Sequence, residues 1–145
     1  MKLAGAYIFR GRLIVSVEHQ TIDGIWRQQS AIGLDHPASF ELVGEAVRRA
    51  LGASRQGVPR PDHSILSSST YPVLVISGAT SNSTFMKTAK HVDVKAEGRS
   101  ITITPHMNKG ARGGFQSRDE LARILIEPDD SALGSAVLET FGDVE

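Results

Sequence analysis

Imidazole is the side chain best suited to proton transfer or metal ligation near neutral pH, and this sequence carries five: His19, His36, His63, His91 and His106. No two stand at the i, i+4 spacing with which a helical zinc motif presents two ligands on one face. Distant histidines can converge in a fold, but the spacing itself predicts no metal and no cofactor. The run Ser67-Ser68-Ser69-Thr70 offers hydroxyls, yet a serine nucleophile needs a base and an oxyanion site beside it, and there is no Gly-x-Ser-x-Gly elbow. That run reads as a solvated loop. The stretch Asn108-Lys109-Gly110-Ala111-Arg112-Gly113-Gly114 joins two cations to several glycines, a composition able to cradle phosphate through backbone N–H groups. It lacks the Gly-Lys-Ser/Thr ending of a P-loop, and Phe115 follows it. One reading is a small RNA- or phosphate-binding module on residues 108–114 using Lys109 and Arg112. The other is a tight turn or bulge that sends Phe115 into the core. No catalytic constellation emerges, so the chain is not expected to be an enzyme.

These residues need a scaffold, and the hydrophobic periodicity supplies one. Ala6 to Phe9 and Leu13 to His19 are β-rich runs around Arg10-Gly11-Arg12, a hairpin pattern. In the second run Ile14, Ser16 and Glu18 alternate with Leu13, Val15 and Val17, so that face turns polar as though it met water. Asp23-Gly24 offers a turn into a third strand through Ile25-Trp26 and Ala31 to Leu34. From Ser39 to Ala53 the period changes, because Val43, Ala46, Val47, Ala50 and Leu51 recur every three or four residues and predict a helix. Ser39 suits its N-cap, Glu41 its positive end, Arg48 and Arg49 its negative end, and Gly52 loosens its finish.

Residues 55–69, with Gly57, Pro59, Pro61 and the serines, read as a long exposed connection. Tyr71 to Ile76 fits a strand or a buried helix edge, and Ser83 to Lys90 a short helix. His91 to Lys95 and Ser100 to Thr104 flank Ala96-Glu97-Gly98-Arg99 as a second hairpin. Leu121 to Ile126 is a further strand, and Pro128-Asp129-Asp130 leads into a last helix striped with Leu133, Ala136, Val137 and Phe141. The predicted class is α+β, a mainly antiparallel sheet with two or three helices packed on it, in one domain over residues 1–145. A weak internal repeat is also present: Val43-Gly44-Glu45-Ala46-Val47 echoes Leu133-Gly134-Ser135-Ala136-Val137, each glycine read as letting its helix lie close to the sheet.

Sixteen basic and sixteen acidic residues balance, which removes the basic footprint of a nucleic-acid binder. Absence of cysteine excludes a disulfide framework and suits a reducing cytoplasm. The opening Met1-Lys2-Leu3-Ala4-Gly5-Ala6-Tyr7-Ile8-Phe9 reads as a strand rather than an export signal, and no stretch approaches the roughly 20 apolar residues of a membrane span. A soluble, cytoplasmic protein is expected.

Several motifs then fall in a recognisable order: Ser83-Thr84-Phe85-Met86-Lys87, Val92-Asp93-Val94, Ile101-Thr102-Ile103-Thr104-Pro105, Lys109-Gly110-Ala111-Arg112-Gly113-Gly114-Phe115 and Leu133-Gly134-Ser135-Ala136-Val137. Their collinearity over residues 80–141 resembles the CdiI immunity family of bacterial contact-dependent growth inhibition. The helix from Leu42 to Val47 and its ending in Ala53-Ser54-Arg55 match more loosely. The resemblance implies a cytoplasmic bacterial inhibitor that binds the cognate CdiA C-terminal toxin domain, a nuclease acting on RNA (an RNase or tRNase), with no direct contact to nucleic acid or membrane. A nuclease site that holds phosphate is basic, so acidic positions become the candidate toxin contacts: Asp119, Glu120, Glu127, Asp129 and Asp130 near the end of the match, with Asp35 and Glu41 flanking the first helix. A solvated face with helix capping by Asp129 or Asp130 is the simpler role for each.

Overall fold

The computed structural model describes residues 1–35, 37–60 and 71–144. His36, His63 and the Ser67–Thr70 run lie outside them. Alternation of β-rich segments with turns gives strands β1 (Lys2–Phe9), β2 (Arg12–Thr21) and β3 (Trp26–Asp35), then helix α1 (Phe40–Ala53) and strand β4 (Gln56–Val58). After the undescribed segment come helices α2 (Pro72–Ser77) and α3 (Asn82–Phe85), strands β5 (Lys90–Glu97) and β6 (Ser100–Asn108), and the single helical turn α4 (Gly110–Gly113). Strand β7 (Phe115–Ser117), a 3₁₀ turn at Asp119–Leu121, strand β8 (Arg123–Ile126) and helix α5 (Asp130–Phe141) complete the order.

The eight strands form one sheet in the order β3-β2-β1-β5-β6-β7, with β8 beside the first half of β6 and β4 beside the end of β2. All pairs are antiparallel except β2 with β4. The predicted α+β class and both hairpins are therefore present. The first hairpin closes through Arg10 and Gly11, both at positive φ, the conformation a two-residue turn needs to match the strand twist. Residues 56–58, read from sequence as part of an exposed connection, instead pair in parallel with β2. At the middle of the sheet, β1 joins β5 from Lys2↔Ala96 to Ile8↔Lys90, so the N-terminal meander and the C-terminal hairpin meet along one seam.

Side-chain alternation sends Ala4, Ala6, Leu13, Val15, Val92, Val94, Ile101 and Ile103 to one face, where α1 and α5 cover them. The predicted periodicity of α1 is borne out: Val43, Ala46, Val47, Ala50 and Leu51 are buried, and Ser39 Oγ accepts from the Leu42 N–H as N-cap. Its end is fixed by Ser54, whose N–H reaches the carbonyls of Ala50 and Leu51 while its hydroxyl donates to Glu18 O at 2.6 Å and accepts from Leu3 N–H at 3.1 Å. Gly52 lies inside the helix, one residue before its end. Arg48 does not serve the helix C-terminus; its guanidinium crosses to Asp130 Oδ1 and the Pro128 carbonyl at the start of α5.

The two echoing motifs have a different role from the one read in the sequence. Gly44 and Gly134 face each other rather than the sheet. A Cβ on Gly44 would overlap the Asp130 carbonyl, and one on Gly134 would overlap the Phe40 carbonyl and approach Gly44 N. The helices cross backbone to backbone, and the echo records two halves of one contact.

The opposite face carries a second core. Tyr7, Phe9 and Ile14 pack with Val73 and Leu74 of α2, Phe85 of α3, Met86 and Ala89, and Phe115 folds onto them. Tyr71–Ile76, open between strand and helix from sequence, forms helix α2 from Pro72 onward, with Tyr71 as its extended N-cap, and covers this face.

Candidate functional site

The face covered by α2 and α3 is polar at its centre. Ser16 is fully buried and Glu18 is 8% exposed, which corrects the expectation that this side of β2 meets water. Pattern alternation distinguishes two faces but not wet from buried-polar. Gly5 of β1 lies between β2 and β5 and leaves a notch: an added Cβ would sit 2.6 Å from Ser16 Oγ and 3.3 Å from His91 Cε1. Into that notch Ser16 Oγ accepts from Gly5 N–H at 3.2 Å and donates to Glu18 Oε1 at 3.2 Å.

Beside the notch, β5 and β6 pair His91 directly with His106, and Asp93 follows two residues on, on the same face. One carboxylate oxygen of Asp93 lies 3.1 Å from His91 Nε2 and the other 2.7 Å from His106 Nε2. The remaining nitrogen of His91, Nδ1, lies 3.1 Å from the Ala6 carbonyl. Tyr7 stacks on the His91 ring with centroids 4.1 Å apart, and His106 and Phe115 close its other sides at 4.5 and 5.0 Å. Sequence spacing missed this convergence, although a signal existed. Projecting the hairpin turn at Gly98-Arg99 backwards residue by residue pairs 91 with 106.

Burial pushes the Asp93 carboxyl up, but hydrogen bonds from His106 and His91, with their charge, outweigh it and hold the group well below the ordinary carboxylate range. Glu18 is moved the other way. Burial and then repulsion from Asp93 raise it to about 8, against the opposing hydrogen bond from Ser16. Tyr7 is raised well above its usual value by burial and by the charges of Glu18 and Asp93.

The seven acidic candidates fall into two groups. Asp119 and Glu120 form the 3₁₀ turn after β7, and Glu127, Asp129 and Asp130 link β8 to α5. Asp35 ends β3 at the other edge of the sheet, and Glu41 opens α1. Four of the seven have partners within the chain: Glu120 with Arg118, Glu127 with Arg99 through two hydrogen bonds, Asp130 with Arg48, and Asp129 as the α5 N-cap accepting from Ala132 N–H at 2.7 Å. Among the described residues, Asp35, Glu41 and Asp119 make no ion pair.

In the glycine-rich segment, three amides that a phosphate cradle would need are engaged: Gly110 N–H with Asn108 Oδ1, Gly114 N–H with Gly110 O, and Lys109 N–H with Gly114 O. Asn108 is its anchor, because its side-chain amide also donates to Met86 O and Ala89 O, each at 2.8 Å. Asn108→Ala leaves two carbonyls and one N–H without these partners and is expected to lower stability by about 2 kcal/mol. Urea unfolding at unchanged m-value is the check, and an unchanged midpoint contradicts it.

No helix among the described residues is long and apolar enough to cross a membrane. The fold is similar to that of a protein of unknown function, NMB0488, from Neisseria meningitidis, at 17% identity and a TM-score of 0.81 over 99% of this chain and 95% of the other. It is also similar to a chain of a CdiA-CT/CdiI toxin and immunity complex from Yersinia pseudotuberculosis, at 14% identity and a TM-score of 0.78 over 99% of this chain and 97% of that one. No curated protein matches the sequence. The family model for CdiI, the CDI immunity protein, matches residues 10–143. With that match spanning strand β2 to the end of α5, the chain belongs to the CdiI family of CDI immunity proteins.

Proposed function

We propose that residues 1–145 act as a single immunity domain in the bacterial cytoplasm, binding the cognate CdiA C-terminal toxin domain and blocking it, and that this toxin is an RNA-cleaving nuclease. The observation that carries the reading is the family match over residues 10–143. An inhibitor of this kind needs a surface of roughly 800 Å² and no catalytic groups. Co-expression with the cognate CdiA C-terminal toxin domain should restore growth and halt RNA cleavage in lysates. Continued toxicity alongside soluble, folded protein contradicts the reading; rescue without any RNA cleavage to suppress keeps the immunity role and replaces the nuclease.

Asp35 and the Asp119–Glu120 turn cannot both be central to one contact of that size, whereas Glu41 opens α1 next to Phe40, which meets Gly134 of α5. Five strand spacings of about 4.8 Å put β3 and β7 roughly 24 Å apart, most of the width of a standard interface. The larger group, at residues 119–130, is the better footprint, because Asp119 offers an exposed carboxylate beside exposed ion pairs that are easily exchanged. Reversing Asp119 and Glu120 to lysine is expected to weaken toxin binding more than about 10-fold, chiefly through slower association, while Asp35→Lys changes it less than about 3-fold. Surface plasmon resonance at two salt concentrations checks this. The opposite ranking moves the interface to the β3 edge.

A further inference from the structure

The His91, Asp93 and His106 cluster has no part in occluding a toxin through acidic positions, yet it brings two imidazoles and a carboxylate together on one face of the sheet. His91 Nε2, His106 Nε2 and the Asp93 carboxylate are ligand atoms that all lie within 4.8 Å of one another. The Ala6 carbonyl can only accept, so His91 Nδ1 carries a hydrogen, and without a second proton on the ring a lone pair on Nε2 faces Asp93. A lone pair facing a carboxylate is repulsive unless positive charge lies between them. A proton can supply that charge, and so can a cation. The rings are also held in place before any ligand arrives, by the Tyr7 stack, by Phe115 and by the space that Gly5 leaves beside His91 Cε1.

We propose that His91 Nε2, His106 Nε2 and a carboxylate oxygen of Asp93 form a binding site for one divalent transition-metal ion of the zinc type, its fourth position open to water or to a donor from a bound partner. Two imidazoles and one carboxylate suit zinc and its borderline neighbours rather than calcium or magnesium, which take oxygen ligands. Bonds of about 2.0–2.2 Å place the ligand atoms of a tetrahedral site roughly 3.3 Å apart. The observed separations bracket that value: His91 Nε2 and His106 Nε2 lie 3.1 and 2.7 Å from the two oxygens of Asp93, and the three ligand atoms are all within 4.8 Å of one another. Three protein ligands with a fourth position open is an arrangement that exchanges ligands, unlike a closed structural site.

The full-length protein, stripped with chelator, is titrated with Zn²⁺ by calorimetry and with Co²⁺ by visible absorption. The expected result is one ion per chain, cobalt d–d bands of four-coordinate intensity, and zinc affinity more than about 10-fold weaker in His106→Gln. Because that variant can lose its fold, ¹⁵N-histidine spectra of the unmodified protein give a second readout. Zinc should move the Nε2 resonances of His91 and His106 and leave His19 in place. Absence of binding by folded protein, unchanged affinity in folded His106→Gln, or shifts confined to other histidines overturns the proposal.

Discussion

Gly44→Ala will unfold on the order of 10 °C below the unmodified protein, or will not fold at all. Most core enlargements cost about 1–3 kcal/mol because a neighbouring side chain can rotate away. Here the obstacle is the Asp130 carbonyl, part of the first turn of α5, so the helices must separate along their whole contact. That contact seats Val43, Val47, Leu133 and Val137, all fully buried. A loss of about 3 kcal/mol or more follows, at roughly 3 °C per kcal/mol for a chain of this size. Gly134→Ala meets the Phe40 carbonyl and behaves alike, and the double variant loses less than the sum because one separation relieves both clashes. Gly52→Ala is the control. It lies in the same helix with open space around an added Cβ, and it should gain about 0.5–1 kcal/mol. Calorimetric melting of the four variants beside the unmodified protein checks the set; a Gly44→Ala protein that melts with the unmodified one refutes the backbone contact.

Glu18→Gln is expected to stabilise the protein in mild alkali by several kcal/mol while changing little below pH 4.5. In the folded state burial and Asp93 hold Glu18 at about 8, against 4.5 in the unfolded chain. Below pH 4.5 both states keep the proton. Between pH 4.5 and 8 the folded protein binds a proton that the unfolded chain has released, so stability falls as pH rises through that window and levels off above it. At about 1.4 kcal/mol for each tenfold change, the gap corresponds to on the order of 5 kcal/mol. Glutamine mimics the protonated acid, keeps an acceptor for Ser16 and removes the slope. Denaturant midpoints of both proteins from pH 4 to 9 decide the matter: curves that diverge with rising pH support a buried neutral Glu18, and parallel curves contradict it.

The elements legible in the sequence were those whose stabilising pattern is local. α1 declared itself through Val43, Ala46, Val47, Ala50 and Leu51, and the β5–β6 hairpin through alternation around Gly98. β4 was not legible, because three residues in a glycine- and proline-rich stretch carry no period and their partner on β2 is more than thirty residues away. The echo of Gly44 and Gly134 was visible but not its meaning, since a helix sequence records that a close approach exists and not which backbone makes it. Ser16 and Glu18 followed strand alternation faithfully, and alternation does not say whether the polar side is covered. The same limit hid the histidine cluster: His91, Asp93 and His106 become neighbours only once register is assigned. The acidic positions were legible as surface, yet Glu127, Asp129 and Asp130 proved to have partners set by the turn into α5.

The seam between β1 and β5 has a consequence for the chain as it leaves the ribosome. β1, β2 and β3 can fold as a meander as soon as Asp35 emerges, but the strand that covers the other side of β1 begins only at Lys90. At translation rates of about 5–20 residues per second, the free edge of β1 waits several seconds with its backbone N–H and C=O groups unpaired. What becomes the middle of the finished sheet is thus, during synthesis, its most adhesive border. Nascent chains crowded on one message are exposed there to pairing with each other, and early chaperone engagement of the first forty residues is the safeguard this topology calls for.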